Sequence, residues 1–417
     1  MLKALGPGLL FAGAAVGVSH LVQSTRAGAA YGLALIAFVI IANIAKYPAF
    51  RIGNQYAAAS GENLVVGYRR QGLGALWLFV AATCATMFAG CAAISLTTAA
   101  LAKATFNLPF DILHIVFAIW GIIGAILFFG QYRALDLTIK VLLSFMTFAT
   151  LVSTALVLPH IPFQGLGDFW PTEFDKTTIL FIAALVGWMP APLDTSVWQS
   201  LWSQAKTRTD NRQASMAETA ADFNIGFFGT TVLAVCFVLM GAGVIFNEGV
   251  VIEASAAGFA QQVIDLYGST IGQTAATLVG AAAMAVVFST TLTAIDAWPR
   301  TMAGVALIIR SPDGEGAEEI AHAAKSIYYW GGMALLLIGT TIILQFLMNA
   351  FSTLIDIATT VSFLTAPIFA LLNHRAMFGA HVPLSNRPGA GLRLWSIGGV
   401  AVLGSFALFY CWIALLT

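Results

Sequence analysis

Apolar stretches follow one another along this chain, separated by short polar segments. A helix needs about 20 apolar residues to cross the hydrocarbon core of a bilayer. Eleven such stretches are read, near residues 8–31, 33–58, 73–102, 110–130, 138–158, 178–205, 218–246, 269–308, 326–348, 351–374 and 394–416. The pattern predicts an all-α membrane protein of about eleven transmembrane helices. The longest polar segments, near 159–177, 205–217, 247–268, 309–325 and 375–393, leave no room for a soluble domain, so 1–417 reads as a single transmembrane domain.

Composition agrees with the pattern. Of the 417 residues, 59% are hydrophobic and only 9% charged, where a soluble domain carries about a quarter. Mean hydropathy is +0.87. The 19 basic and 19 acidic residues cancel, so charge gives no argument for nucleic acid as a partner. Membrane lipid is the expected surrounding, with no obligatory protein partner evident. Met1 to Leu5 lead straight into the first span with nothing that reads as a cleavable signal. Cys84, Cys91, Cys236 and Cys411 fall within apolar stretches and read as small hydrophobes rather than disulfides.

Basic residues set an expected orientation, because cytoplasmic loops collect Lys and Arg. Arg69 and Arg70, Arg133 and Lys140, Lys206, Arg208 and Arg212, Arg310 and Lys325, and finally Arg375, Arg387 and Arg393 fall on one side. The other side carries Asp168, Glu173, Asp175, Glu248, Glu253 and Asp265, with Lys103 and Lys176 as its bases. This places the N-terminus in the cytoplasm and the C-terminus outside, in a multi-pass protein of a bacterial inner membrane.

Two spans are polar where they should be apolar. The first contains "GAAVGVSHLVQSTR" (Gly13 to Arg26), with Gly17, Ser19, His20, Gln23, Ser24 and Arg26 in its central and outer parts. The sixth reads "FIAALVGWMPAPLDTSVWQS" (Phe181 to Ser200), where Pro190 and Pro192 remove two backbone donors. Both pass through an Ala-x-Val-Gly turn, become polar and reach Gln-Ser. Five spans separate them, and an odd number inverts the second copy. The pattern predicts an inverted five-plus-five repeat, 8–158 and 178–374, with 394–416 as an additional helix. Paired broken helices at mid-membrane then form the substrate site. Both breaks are expected to face each other, near Gly17–His20 and Gly187–Pro192.

At these residues the chain resembles the NRAMP family of divalent-metal transporters, which have the leucine-transporter-type fold. Gly6-Pro7-Gly8-Leu9-Leu10 matches the family's start of helix 1, and Ala27-Gly28-Ala29-Ala30-Tyr31-Gly32 its Ala-Gly-Ala-x-Phe-Gly exit. Met189-Pro190 matches the Met-Pro of helix 6, and "FSTTLTAIDAW" (Phe288 to Trp298) resembles the helix 8 run. The family's metal-binding turn, Asp-Pro-Gly-Asn, is here Gly17, Val18, Ser19 and His20. Carboxylate and carboxamide are both missing. The sulfur ligand remains as Met189, and the His after Met-Pro is Ala191. The resemblance implies a divergent member with an altered site, as in NRAMP-related magnesium or aluminium transporters. Asp at Gly17 is expected to strengthen metal binding.

The candidate substrate-binding residues are Gly17, Ser19, His20, Gln23, Val186, Met189, Asp194 and Thr195. His20, Met189 and Asp194 are the candidate metal ligands. A carboxylate at membrane depth costs free energy unless it is used, which singles out Asp194. Arg26, Asp222, Asp296 and Asp356 are candidates for a gate or proton relay; Arg26 is expected to pair with Asp194 or snorkel, and Asp296 to pair with Arg300. The expected cargo is a divalent cation, hydrated magnesium or manganese, moved by alternating access, with a proton as coupling ion and no cofactor. Hydrated magnesium needs few direct ligands, whereas manganese suits His20 and Met189. The alternative is a small organic anion or amino acid, its carboxylate at the broken helix 1. A second alternative is a membrane sensor that does not transport. No nucleophile motif, HExxH or P-loop argues for an enzyme.

Overall fold

The structure is a computed structural model, and it describes residues 6–161, 163–246, 253, 255–310 and 326–416. Helices dominate and, among the described residues, no strand occurs. The first span is broken: α1 (Pro7–Ala15) leads to a π-helical turn (Ser19–Ser24) and α2 (Thr25–Tyr31), with a bend of 46° between the halves. Next come α3 (Ile36–Ser60), short α4 (Leu64–Arg70), α5 (Leu73–Phe106) and α6 (Ile112–Val157). The sixth span is α7 (Lys176–Trp188) and α8 (Thr195–Asp210), separated by extended chain. The remainder is α9 (Met216–Val244), α10 (Ala256–Ile271), α11 (Gln273–Arg310), α12 (Ile327–Leu347), α13 (Phe351–Met377) and α14 (Ala390–Leu416).

Among the described residues, nine helical stretches are long and apolar enough to cross a membrane, and the bent α1–α2 pair makes ten. The sixth expected span falls short because it breaks, leaving α7 with 13 residues. Two expected boundaries are corrected. The chain near 131–137 is not a loop, since α6 runs without interruption across both the fourth and fifth apolar stretches. The segment 247–268 is not all loop, and the eighth span does not start at 269. α10 occupies 256–271, and Gly272, with φ +91°, separates it from α11. Ala256, Phe259, Ala260 and Val263 give α10 one buried face at helical spacing, while Gln261 and Asp265 are exposed. Of the residues used for orientation, Glu248, Lys325 and the side chain of Arg133 lie outside the described residues.

Burial ranks the helices. In α11, 83% of the apolar window is buried, against 17% in α14, so α11 is central and α14 peripheral. Without a hydrophobic force between helices in lipid, close packing of small residues holds spans together. A Cβ on Gly28 of α2 would lie 2.0 Å from the Val238 carbonyl oxygen, and one on Gly241 of α9 would lie 2.3 Å from that of Thr25. The α2–α9 crossing therefore admits only glycine at both positions. Helix ends are capped by side chains: Asn63 Oδ1 accepts from Val65 N at 2.9 Å, and Asp175 Oδ1 from Thr178 N at 2.9 Å. Those bonds from Thr178, side chain and backbone, hold the Asp175 carboxyl below the usual carboxylate range.

Gly28→Val and Gly241→Val should each destabilise the fold by at least about 1–3 kcal/mol, the cost of overpacking. Gly121→Val, with nothing within 4 Å of its Cβ, is the control. Thermal unfolding in detergent measures this; equal midpoints for all three variants would sink the packing argument.

Candidate functional site

The two breaks meet. Ser19 Oγ lies 3.4 Å from the Pro190 carbonyl oxygen, joining the first break to the second. In the first span α-helical geometry ends at Ala15, Val16 is extended (φ −80°, ψ 94°), and the helix resumes with Val18. The expected interruption at Gly17–His20 is therefore shifted: His20 sits in the π-helical turn, which runs to Ser24. Such turns are rare inside helices and frequent at functional sites.

Freed carbonyls of the first break are satisfied by hydroxyls. Thr290 Oγ1 of α11 lies 3.0 Å from the carbonyl oxygens of both Gly13 and Val16. Ser289 Oγ donates to Gly13 O at 3.1 Å, and Ser19 Oγ reaches Ala15 O at 2.6 Å. The second break is satisfied differently. Lys46 of α3, fully buried, donates from Nζ to the carbonyls of Val186 and Gly187 at 2.7 Å each and of Ala191 at 3.2 Å. Val186 thus joins the site through its backbone oxygen, already held by this ammonium.

Between the breaks lies a cavity of about 20 Å³, room for about one water. Its walls come from five parts of the chain. Ser19 and Thr195 flank the breaks, Thr86 and Gly90 belong to α5, Thr290 to α11 and Ser362 to α13. Three indoles, Trp188, Trp198 and Trp298, also line it. Trp198 and Trp298 stand edge to face, 5.1 Å between centroids.

Asp194 is buried beside this cavity. Its Oδ2 accepts from Trp298 Nε1 at 3.1 Å and Thr86 Oγ1 at 3.4 Å. Its Oδ1 has no hydrogen-bond partner among the described residues, and neither has Trp198 Nε1 or the amide of Gln199. Interior acids are ordinarily paired, so this oxygen has acceptor capacity that the described residues leave unused.

The other expected residues are spread out. His20 turns towards α9: Nε2 lies 3.0 Å from the Thr230 carbonyl, so it carries the proton, and Nδ1 is 2.8 Å from Ser19 Oγ. Nε2–H goes to the Thr230 carbonyl, and Nδ1 is covered by Ser19 Oγ, whose single O–H is shared between Nδ1 and the Ala15 carbonyl. Met189 is packed among Ala27, Leu185, Val238 and Phe363, away from the cavity lining. The structure does not bring His20, Met189 and Asp194 together, and among the described residues no group of three or more His, Cys, Asp or Glu could hold a metal. Arg26 does not pair with Asp194. Its Nη1 donates to Asp356 Oδ1 at 2.9 Å and Gln23 Oε1 at 3.0 Å, with the guanidinium over Phe181. Gln23 Nε2 in turn approaches Thr359 Oγ1 at 3.4 Å, so both residues tie the first span to α13.

Asp222 caps α1, accepting from Gly6 N at 3.0 Å and Gly8 N at 2.7 Å. Asp296 does pair with Arg300, at 2.6 and 3.0 Å, and also accepts from Trp202 Nε1 and Tyr329 Oη. Sequence reasoning missed Lys46, though a lone lysine in the middle of an apolar span was a signal. It also missed the indole walls, which no local motif announces.

Residues 8–409 match the family described as Natural resistance-associated macrophage protein-like, Nramp. The uncharacterized protein PM0681 of Pasteurella multocida (strain Pm70) is 33% identical over 412 residues, 98% of this chain and 91% of that protein. A mutant of the Eremococcus coleocola manganese transporter superposes with a TM-score of 0.70 at 16% identity, over 98% of this chain and 86% of that one. MhsT in complex with L-phenylalanine superposes with a TM-score of 0.65 at 13% identity, over 98% of both chains. These two likenesses show the fold.

Space at Gly17 overturns one expectation. A Cβ there would lie 2.1 Å from Thr290 Oγ1 and under 3 Å from two further atoms of the same side chain. Gly17→Asp should therefore destabilise the protein without strengthening manganese binding, because Thr290 cannot withdraw without leaving the Val16 carbonyl without its hydroxyl. Unfolding midpoints and calorimetry on the variant check this. Wild-type stability with manganese bound about tenfold tighter, a gain of about 1.4 kcal/mol, would refute it.

Proposed function

This chain belongs to the Nramp family of membrane transporters, and from that premise we propose that it moves a divalent cation by alternating access through a site altered from the family pattern. One observation carries the reading: two facing helix breaks enclose a cavity beside Asp194, whose Oδ1 lacks a partner. A single carboxylate and a lining of hydroxyls suit a hard cation that keeps part of its water, as magnesium does, better than a bare manganese ion. The name of the Eremococcus coleocola relative supports a metal as cargo. We take 8–158 and 178–374 as the two repeats, with the N-terminus cytoplasmic and a proton as coupling ion. On this reading Arg26 and Asp356 form a gate, since their ion pair ties the outer half of a broken span to α13.

A second reading has its own observation. Three indole walls offer flat apolar faces, which suit a small organic solute more than an ion. Its N–H group would meet Asp194.

Uptake into proteoliposomes separates these readings. If the cargo is magnesium or manganese, Asp194→Asn should abolish uptake, and Arg26→Ala should leave cation affinity intact. If the cargo carries a carboxylate that Arg26 holds, Arg26→Ala should cost roughly 1.5–3 kcal/mol, about 10- to 150-fold in affinity. Loss on Arg26→Ala with Asp194→Asn tolerated refutes the cation reading.

A further inference from the structure

We propose that the carbonyl cup at the break of the sixth span is a monovalent-cation site, and that the ammonium of Lys46 is its resident, tethered cation. The cup is made of the carbonyl oxygens of Val186, Gly187 and Ala191. The first two belong to the last turn of α7, where helix carbonyls lose their partners and the negative end of the helix dipole gathers. The continuing chain supplies only Met189 N, 3.2 Å from the Val186 oxygen, since Pro190, four residues on from Val186, has no N–H.

Lys46 meets this demand in full. Its three N–H bonds are matched by three acceptors at 2.7, 2.7 and 3.2 Å, and its side chain is inaccessible to solvent. Among the described residues no carboxylate lies within 4 Å of its Nζ, so this is not an ion pair. A buried charge that is not paired must be stabilised by dipoles, and here backbone oxygens replace the water of a cation, as they do in a selectivity filter. The first break shows the contrast. There single hydroxyls from α11 suffice, and no charge is supplied. A lysine at the second break therefore adds something beyond hydrogen bonds: when protonated, a positive charge beside the site that holds Asp194. A free cation is excluded from the cup while the lysine fills it.

The inference concerns the cup and not the cargo, so it stands or falls apart from the transport reading. Lys46→Ala removes the side chain from Cγ outward, a shape that n-propylammonium matches. The purified variant should unfold about 4 °C or more below wild type, a shift expected for loss of a buried charged group. n-Propylammonium should restore at least half of that loss with a saturating dose response. n-Propanol, of the same shape but neutral, should not, and wild type should respond to neither. Should Lys46→Ala not fold alone, the readout is the yield of monodisperse protein extracted with n-propylammonium against n-propanol. Lys46→Met fills the space without donors and should also be destabilised. A Met variant as stable as wild type, or an Ala variant that n-propylammonium helps no more than n-propanol, overturns the proposal.

Discussion

The architecture depends on one constraint: a helix broken at membrane depth must find donors for the carbonyls it frees. In hydrocarbon there is no water to take over, and each unsatisfied backbone group costs several kcal/mol. The protein meets the constraint twice, with different chemistry. Thr290 and Ser289 bring hydroxyls to the first break, and Lys46 brings an ammonium to the second. Both donors come from helices that must then sit close to the breaks. That requirement explains why α11 is buried through most of its length, and why Gly17 is left without a side chain facing Thr290. The cavity between the breaks is what remains once these donors are in place.

Much of the fold was legible because its causes are local. Apolar stretches of bilayer length, the Gly and Pro residues of two spans, and the hydroxyl run near 289–293 all announce themselves in the chain. What failed to show has a physical reason in each case. α10 was read as loop because its apolar face is confined to positions such as Phe259 and Val263, so averaging over a window hides it. The segment near 131–137 carries charges, yet helix geometry satisfies its backbone as well as a loop would. Lys46 was lost for a related reason, since one charge hardly changes the mean apolarity of a 25-residue helix.

The candidate site was less legible than the fold. Met189 keeps the family's residue, but the direction of its side chain depends on how the chain leaves α7, and it ends in an apolar cluster. His20 stands at the right distance along the sequence from the first break. The π-helical turn nevertheless points it at Thr230 and Ser19. Residue identity at a break therefore says little about what faces the cavity, because each break resets the phase of the helix that follows.

The four acids within the spans, three of them buried and Asp356 half-exposed, show how a role can be read from satisfaction rather than from identity. Asp222 accepts two backbone N–H groups at the start of α1, Asp296 is held by Arg300, Trp202 and Tyr329, and Asp356 is paired with Arg26. Each of these three has its charge or lone pairs answered by a neighbour, which is what a structural carboxylate requires. Asp194 is the exception, with Trp298 and Thr86 on one oxygen and, among the described residues, no partner for the other. It is also beside the cavity, between the two breaks, with a lysine charge held by carbonyls nearby. Its burial is therefore the one that its described neighbours explain least. The same argument explains why the structural acids could be told from Asp194 only after their partners were known: along the sequence all four look alike.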